Sequence, residues 1–250
     1  MKLKKQTTEK RPIKTLDRVL SKAGLASRTE ALRLIQQGRV RVNGTIVRDV
    51  ERWIDLERDR VSVDDRPLLR QKRIYLLLYK PPGYVTTRVD PQGRPTVYEL
   101  LAEVRQWVFP VGRLDQDTSG LLLVTNDAQF AERMTNPDYK VPKTYLVKVV
   151  PRFSDDQLEQ LRQGVVLKDG PTRPSIIQRL RDTGNHTFFE ITITEGRNRQ
   201  VRRMVEAVGG KTLKLVRVAV GGLQIERLPI GTYRELTAEE LQVLWRTTKA

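Results

Sequence analysis

The chain has 250 residues, 38% of them hydrophobic, enough to bury a core in one large domain and one small one. Its 46 Lys and Arg against 30 Asp and Glu leave a formal charge of +16, a surface potential that draws in polyanions such as RNA, DNA or an anionic membrane. Cysteine is absent, which excludes disulfides, zinc–thiolate sites and thiol nucleophiles, so the chemistry must run on carboxylate, Arg, Lys, Tyr or hydroxyl groups.

Residues 1–13 are polar and lysine-rich without a hydrophobic period, and read as a disordered basic arm. The start, Met1 to Lys5, lacks the apolar segment of a secretory signal, and no run approaches the ~20 apolar residues of a membrane span. The expectation is a cytoplasmic protein whose partner is nucleic acid and not a membrane. From Thr15 the period becomes helical: Leu16, Val19, Leu20 and Ala23 form one stripe, ended by Gly24. Ser27-Arg28-Thr29-Glu30 has capping-box form and opens a second helix with Ala31, Leu34 and Ile35 as its stripe. Val40-Arg41-Val42, Asn43-Gly44 and Thr45-Ile46-Val47 then spell a hairpin. Lys22, Arg28, Arg33, Arg39 and Arg41 flank these elements with few acids between Thr15 and Val47, a basic face suited to phosphates. The following segment, dense in charge and interrupted by Pro67, reads as a link, with the small domain spanning 14–70 and a larger one 71–250.

The larger domain opens with Ile74 to Tyr79, a buried strand stopped by Lys80-Pro81-Pro82-Gly83. A polar loop, a short helix from Thr96 through Leu101, a strand from Leu121 to Thr125 and a helix to about Met134 follow. Lys143 to Val149 alternates as a strand, Ser154 caps a helix, further strands are expected at 165–167, 175–180, 188–194 and 212–220, and Thr237 caps a last helix. The one histidine, His186, falls in a turn between strands and suits an exposed turn residue better than a catalytic base. Strands outnumber helices and several are joined by short turns, so the fold class is α+β, a mixed, mainly antiparallel sheet flanked by helices.

Two passages carry chemistry. Gly112-Arg113-Leu114-Asp115-Gln116-Asp117-Thr118-Ser119-Gly120 sets charge directly against a buried strand. Its acids suit either a turn cap or a functional carboxylate, and Asp117 fits the cap better. Thr194 to Met204 packs Arg197, Arg199, Arg202 and Arg203 around a helix start whose stripe, Val201, Met204, Val205 and Val208, turns some of them inward. An inward arginine needs an anion, and Asp115 is the carboxylate expected to supply it. Tyr145, in Lys143-Thr144-Tyr145, reads from its strand alone as a core aromatic.

The front module, with Leu16-Asp17-Arg18-Val19-Leu20, Ala26-Ser27-Arg28-Thr29-Glu30-Ala31 and Gly38 to Gly44, resembles the αL-type (S-four-type) RNA-binding domain first recognised in a small-subunit ribosomal protein. Together with the Asp115 passage, Lys143-Thr144-Tyr145 and Glu195 to Met204 in that order, the chain resembles the RsuA/RluB/RluE/RluF family of ribosomal RNA pseudouridine synthases, with details favouring the RluB-like branch. The resemblance implies isomerisation of a uridine in a structured stem-loop of ribosomal RNA, large-subunit before small-subunit, by a monomer that uses neither metal nor cofactor. It makes Asp115 the catalytic aspartate, Tyr145 the ring against the base and Arg202 the partner of the aspartate, with Arg113, Arg197 and Arg199 in RNA contact or loop support. The rivals are a non-catalytic RNA-binding assembly factor, and a nuclease or glycosidase, which would require paired acids or metal-binding acids.

Overall fold

The computed structural model describes residues 14–23, 25–26, 28–56, 58–68 and 72–248. The expected basic arm, the helix stop at Gly24 and the cap at Ser27 lie outside these residues. The chain divides into two compact units, Met1–Lys72 and Arg73–Ala250.

In the first unit, β1 (Lys14–Thr15) leads into α1 (Leu16–Lys22) and α2 (Arg28–Gln36), and β2 (Val40–Val42) turns back through β3 (Thr45–Ile46). Leu16, Val19 and Leu20 of α1 meet Ala31 and Ile35 of α2 over Val40 and Val42, so the two helical stripes and one strand face share a core. Asn43 and Gly44 take φ of 53° and 82°, the paired left-handed values that a tight hairpin turn demands.

The segment expected to be a charged link is structured. β4 (Trp53–Ile54) pairs with β1, while β5 (Val61–Val63) and β6 (Arg66–Pro67) extend the hairpin into a sheet of order β3-β2-β5-β6. Val61 packs into the core, and Asp64 and Asp65, at φ of 49° and 62°, form the turn. Charged residues surround so few apolar ones that the strand leaves no periodic signal.

The second unit is built on a sheet ordered β13-β14-β10-β15-β9-β7-β17. Its strands are β7 (Tyr75–Lys80), β8 (Phe109–Pro110), β9 (Ser119–Thr125), β10 (Lys143–Val150), β13 (Ile176–Thr183), β14 (His186–Ile193), β15 (Lys211–Val220), β16 (Leu223–Gln224) and β17 (Tyr233–Glu235). The short pair β11 (Val166–Leu167) and β12 (Gly170–Pro171) stands apart. β15 runs parallel to β9 and the other pairings are antiparallel, in keeping with the expected mixed, mainly antiparallel sheet.

Helices α3 (Ala128–Thr135), α4 (Asp155–Gln163), α5 (Gln200–Ala207) and α6 (Ala238–Thr247) complete the unit. Ser154 and Thr237 each close a full capping box, and Asp127 caps α3 by accepting from the Gln129 and Phe130 amides. The helix expected at Thr96–Leu101 is one 3-10 turn, Glu99–Leu101.

Every residue of β9 is buried because both of its faces are covered. Leu121 and Leu123 meet Phe130 and Met134 of α3 and Leu244 of α6, while Leu122 and Val124 meet Val97, Leu101, Val108 and Leu114. Burying each such leucine contributes about 1.5–3 kcal/mol, and a strand sealed on both faces reads as a continuous apolar run.

The parallel pairing of β9 with β15 sets Gly120 opposite Arg217. At φ of 113° Gly120 occupies a region that L side chains avoid, and a Cβ there would lie 2.5 Å from the Arg217 amide nitrogen and closer still to its carbonyl oxygen. Gly120→Ala is therefore expected to lower stability by about 2–4 kcal/mol, the combined scale of backbone strain and overpacking. Urea unfolding of the intact protein measures it, and a loss under about 0.5 kcal/mol, the scale of neutral surface changes, would refute the close-approach account.

Candidate active site

The Asp115 passage forms a turn at the entrance to β9, closed by a bond from the Thr118 amide to the Asp115 carbonyl of 3.1 Å. Its backbone is held from behind. Lys80, the last residue of β7 and fully buried, donates from Nζ to the carbonyls of Thr118 at 2.8 Å, Pro81 at 3.0 Å and Gln116 at 3.4 Å. The Gly83 amide donates to the Gln116 carbonyl at 2.7 Å, and the Thr86 hydroxyl donates to the Leu114 carbonyl at 2.7 Å. With its main chain tied at Leu114, Gln116 and Thr118, the turn presents the Asp115 side chain from a rigid base.

Burial pushes the Lys80 ammonium down to about 8, against the pull of Asp117 and Asp115 in the other direction. In the sequence, Lys80 reads only as the residue that stops a strand. Its position at the end of an apolar run, where a solvated lysine is the usual occupant, carried no sign that the chain folds over it.

Asp115 lines a cavity of about 260 Å³ together with Arg113, Leu114, Lys143, Tyr145, Arg199 and Arg217, among others. It is the single acidic residue among the described residues lining that cavity. Tyr145 enters from β10 just after a register shift between Thr144 and Tyr145, and such irregularities re-aim a side chain. Its ring packs at the edges of two core clusters while facing the cavity, so the core-aromatic reading and the site reading describe the same residue.

The arginines sort differently from expectation. Arg202, nearly buried, donates to the Asp117 carbonyl at 3.1 Å and pairs with the Asp117 carboxylate at 3.1 Å. The cation nearest Asp115 is Arg199, at 3.8 Å, which also reaches Asp117 at 3.3 Å. The expected pairing of Arg202 with Asp115 is thus replaced by a four-residue arrangement in which Asp117 stands between the two arginines. Asp117 is an ion-pair partner here and makes no side-chain cap.

The reason lies in α5: Arg202 sits one turn inside the helix, beneath the loop, whereas Arg199 is the N-cap, with φ of 47° and ψ of 33°. That left-handed backbone is unusual for an arginine, and strain of this kind gathers where side-chain direction matters.

Arg197 turns away. It donates to the carbonyls of Asp169, Gly170 and Pro171 and pairs with Glu195 at 3.3 Å, bracing the turn between β11 and β12. Of the two roles open to it, the geometry is that of loop support. Arg113 is exposed at the cavity mouth.

Two further cations on the cavity wall escaped the sequence reading. Arg217 of β15 is buried and donates from Nε to the Leu121 carbonyl at 2.7 Å. Lys143 is pushed down to about 8 by its burial and by Arg217. Each is a charged residue in a strand, a type that is ordinarily exposed, so neither sequence position marks it as buried.

In the first unit the expected basic face carries more counter-charge than its own segment supplies. Arg28 pairs with Asp17 at 2.8 Å, Arg39 grips Asp64 with two nitrogens, and Arg41 meets Asp65 at 3.1 Å. Asp64 and Asp65 arrive from the β5–β6 turn, inside the expected 14–70 domain but within the stretch that reads as a charged link. Arg33 and Lys22 are exposed.

Residues 74–207 match the model of the RNA pseudouridylate synthase family, and residues 14–55 match that of the S4 domain. An RNA pseudouridine synthase of Aquifex aeolicus is 41% identical over 92% of this chain and 93% of its own. The ribosomal large subunit pseudouridine synthase B of Bacillus subtilis is 40% identical over 92% and 94%, and its Escherichia coli K12 namesake 38% over 92% and 81%. A crystal structure of a pseudouridylate synthase superposes with a TM-score of 0.66 at 33% identity, covering 92% of this chain and 99% of that one. A single-carboxylate cavity at the end of β9, an S4 match at the front and these relatives along almost the whole length agree: the chain belongs to the RNA pseudouridine synthase family, in its RsuA/RluB group.

Proposed function

We propose that the protein converts a uridine of large-subunit ribosomal RNA to pseudouridine, with Asp115 as the nucleophile. The observation that carries the proposal is the cavity whose single acid, Asp115, stands on an immobilised turn beside Tyr145 and 3.8 Å from Arg199. The choice of RNA is supported by the Bacillus subtilis and Escherichia coli relatives, each named as a ribosomal large subunit pseudouridine synthase.

In the reaction the bond between N1 of uracil and C1′ of the sugar breaks, a bond from C5 to C1′ forms, and the proton leaving C5 is balanced by one gained at N1. Nothing is oxidised and no water is consumed, so a cavity equipped with one carboxylate and several cations has the groups the chemistry needs. The target base leaves its stack to reach Asp115, and Tyr145 supplies the aromatic surface that replaces the lost stacking. Arg199 holds the carboxylate toward the cavity, while Lys80 and Arg202 fix the turn beneath it. Lys143, Arg217 and Arg113 supply positive potential along the path of the RNA backbone. Lys22, Arg28, Arg33, Arg39 and Arg41 contact the stem-loop from the S4 unit, the three paired arginines doing so with part of their charge already matched. Work on ribosomal RNA sets the site of action in the bacterial cytoplasm, and the enzyme acts as a monomer.

Chemical mapping of pseudouridine in ribosomal RNA from cells with and without the gene tests the proposal. One large-subunit site is expected to disappear, loss confined to the small subunit would redirect the substrate, and no loss would sink the reading. Asp115→Asn is expected to cut turnover by more than about 10³-fold with RNA affinity nearly unchanged, measured by single-turnover kinetics and filter binding.

Removing residues 1–70 is expected to weaken binding of the natural stem-loop roughly 10–100-fold, and equal affinity for the shortened protein would contradict a binding role for the first unit. The rate is also expected to fall as pH rises through about 8, because Lys80, charged below that value, then loses a proton and its positive charge beside Asp115 and Asp117. Lys143 titrates in the same range, so the descending limb should persist in Lys143→Met. A flat profile between about pH 7 and 9 would exclude a role for the Lys80 charge.

A further inference from the structure

The sheet formed by β13, β14, β10 and β15 is covered on one face by α4 and α5, whose Leu158, Leu161, Val201 and Met204 pack on Val147, Phe189, Ile191 and Leu215. The opposite face carries a different set of side chains. Strand register sets Arg181 opposite Phe188, Phe188 opposite Lys148, and Lys148 opposite Lys214, one row across four neighbouring strands. Three strand spacings of about 4.8 Å make the row about 14 Å long. These four residues, with Leu146 and Leu180, line a groove of about 270 Å³.

Two of the three charges in this row are held in place. The Arg181 guanidinium lies 4.8 Å from the centre of the Phe188 ring and the Lys148 ammonium 5.4 Å from it, so one aromatic ring pins two cations against the sheet. Lys148 and Lys214 are directly opposed like charges, an arrangement that weakens a sheet unless an anion joins it. No acid does so among the described residues: Glu190, one register step away beside Leu146, forms an ion pair with none of the three. The one aromatic ring of the groove is already occupied by its two cations, so the aromatic anchor typical of protein interfaces is engaged, and Leu146 and Leu180 are the apolar side chains left beside it. A row of three cations across the sheet, two of them held by one ring, suits the regularly spaced phosphates of a polyanion.

We propose that this face is a second RNA-binding surface, on the side of the sheet away from the Asp115 cavity, where Arg181, Lys148 and Lys214 bind phosphates of ribosomal RNA outside the target stem-loop. The proposal rests on the ribosomal RNA reading and extends the footprint of the enzyme beyond the nucleotide it modifies. It assigns the face to phosphates, so recognition there is independent of base sequence.

The test is the full-length triple variant Lys148→Gln, Arg181→Gln, Lys214→Gln, compared with wild type on two protein-free RNAs, a long large-subunit transcript and a short stem-loop containing the modified site. On the long transcript the slope of log affinity against log salt is expected to become shallower by about 2, since each phosphate contact to single-stranded RNA contributes roughly 0.7. Turnover on the short stem-loop should stay within twofold of wild type, which also shows that the variant is folded. Lys148→Arg with Lys214→Arg should keep the wild-type slope.

An unchanged slope and affinity on the long transcript overturns the proposal. So does a variant that binds naked RNA normally but loses affinity for precursor ribosomal particles, since that assigns the face to a protein. Wild type that modifies neither RNA sinks the ribosomal RNA reading and this inference together, whereas an active wild type with an indistinguishable variant sinks this inference alone.

Discussion

The anchoring of the 114–118 turn from beneath is the constraint on which the site depends. A carboxylate set on a free loop would sample many positions, and an enzyme that holds its reacting groups in place saves the entropy of bringing them together. Here the holding group is itself a buried charge. Lys80 exchanges bulk water for the carbonyls of Thr118, Pro81 and Gln116, an exchange worthwhile only when those carbonyls are correctly placed. The burial cost of the lysine and the rigidity of the aspartate are thus two aspects of one arrangement, and β7 is tied to the active-site turn through a single side chain.

Around that turn, charge is layered by depth. Arg202, inside α5, and Asp117 form the lower pair, while Arg199, at the helix N-terminus in a left-handed conformation, reaches over to Asp117 and Asp115. Asp117 absorbs much of the positive charge of the two arginines and leaves Asp115 with one cation at longer range. A carboxylate gripped by a bidentate arginine would present its lone pairs to the guanidinium; one at 3.8 Å keeps them available to a substrate. The second acid of the motif therefore acts on the first through the arginine they share, Arg199.

The close approach of Gly120 to the Arg217 backbone explains why a glycine follows these acids. The approach is what lets β15 run parallel to β9, and β15 in turn brings Arg217 to the cavity and pairs with β10, which carries Tyr145. Asp115 at the entrance to β9, Arg217 of β15 and Tyr145 of β10 therefore come from three successive positions in the sheet, and the β9–β15 contact among them closes at a residue without a side chain. The charge imbalance visible in the composition then has two structural outlets, the cavity wall and the opposite sheet face, while Arg28, Arg39 and Arg41 of the S4 unit are matched by acids.

Much of this protein was legible in one dimension. The helix stripes of the first unit, the Asn43-Gly44 turn, the capping boxes at Ser154 and Thr237, and the fully buried run after Gly120 are local patterns, because hydrogen bonding and side-chain period act over a few residues. The likeness to the pseudouridine synthase motifs singles out Asp115 and Tyr145, which line one cavity, and Arg202, which pairs with Asp117. What tertiary structure decided were the long-range pairings: Lys80 beneath the turn, Asp117 and not Asp115 as the partner of Arg202, Asp64 and Asp65 returning to neutralise Arg39 and Arg41, and the alignment of Arg181, Phe188, Lys148 and Lys214 across four strands. Each depends on which segments become neighbours, and sheet register brings together residues tens of positions apart whose charges carry no mark of their partners in the sequence.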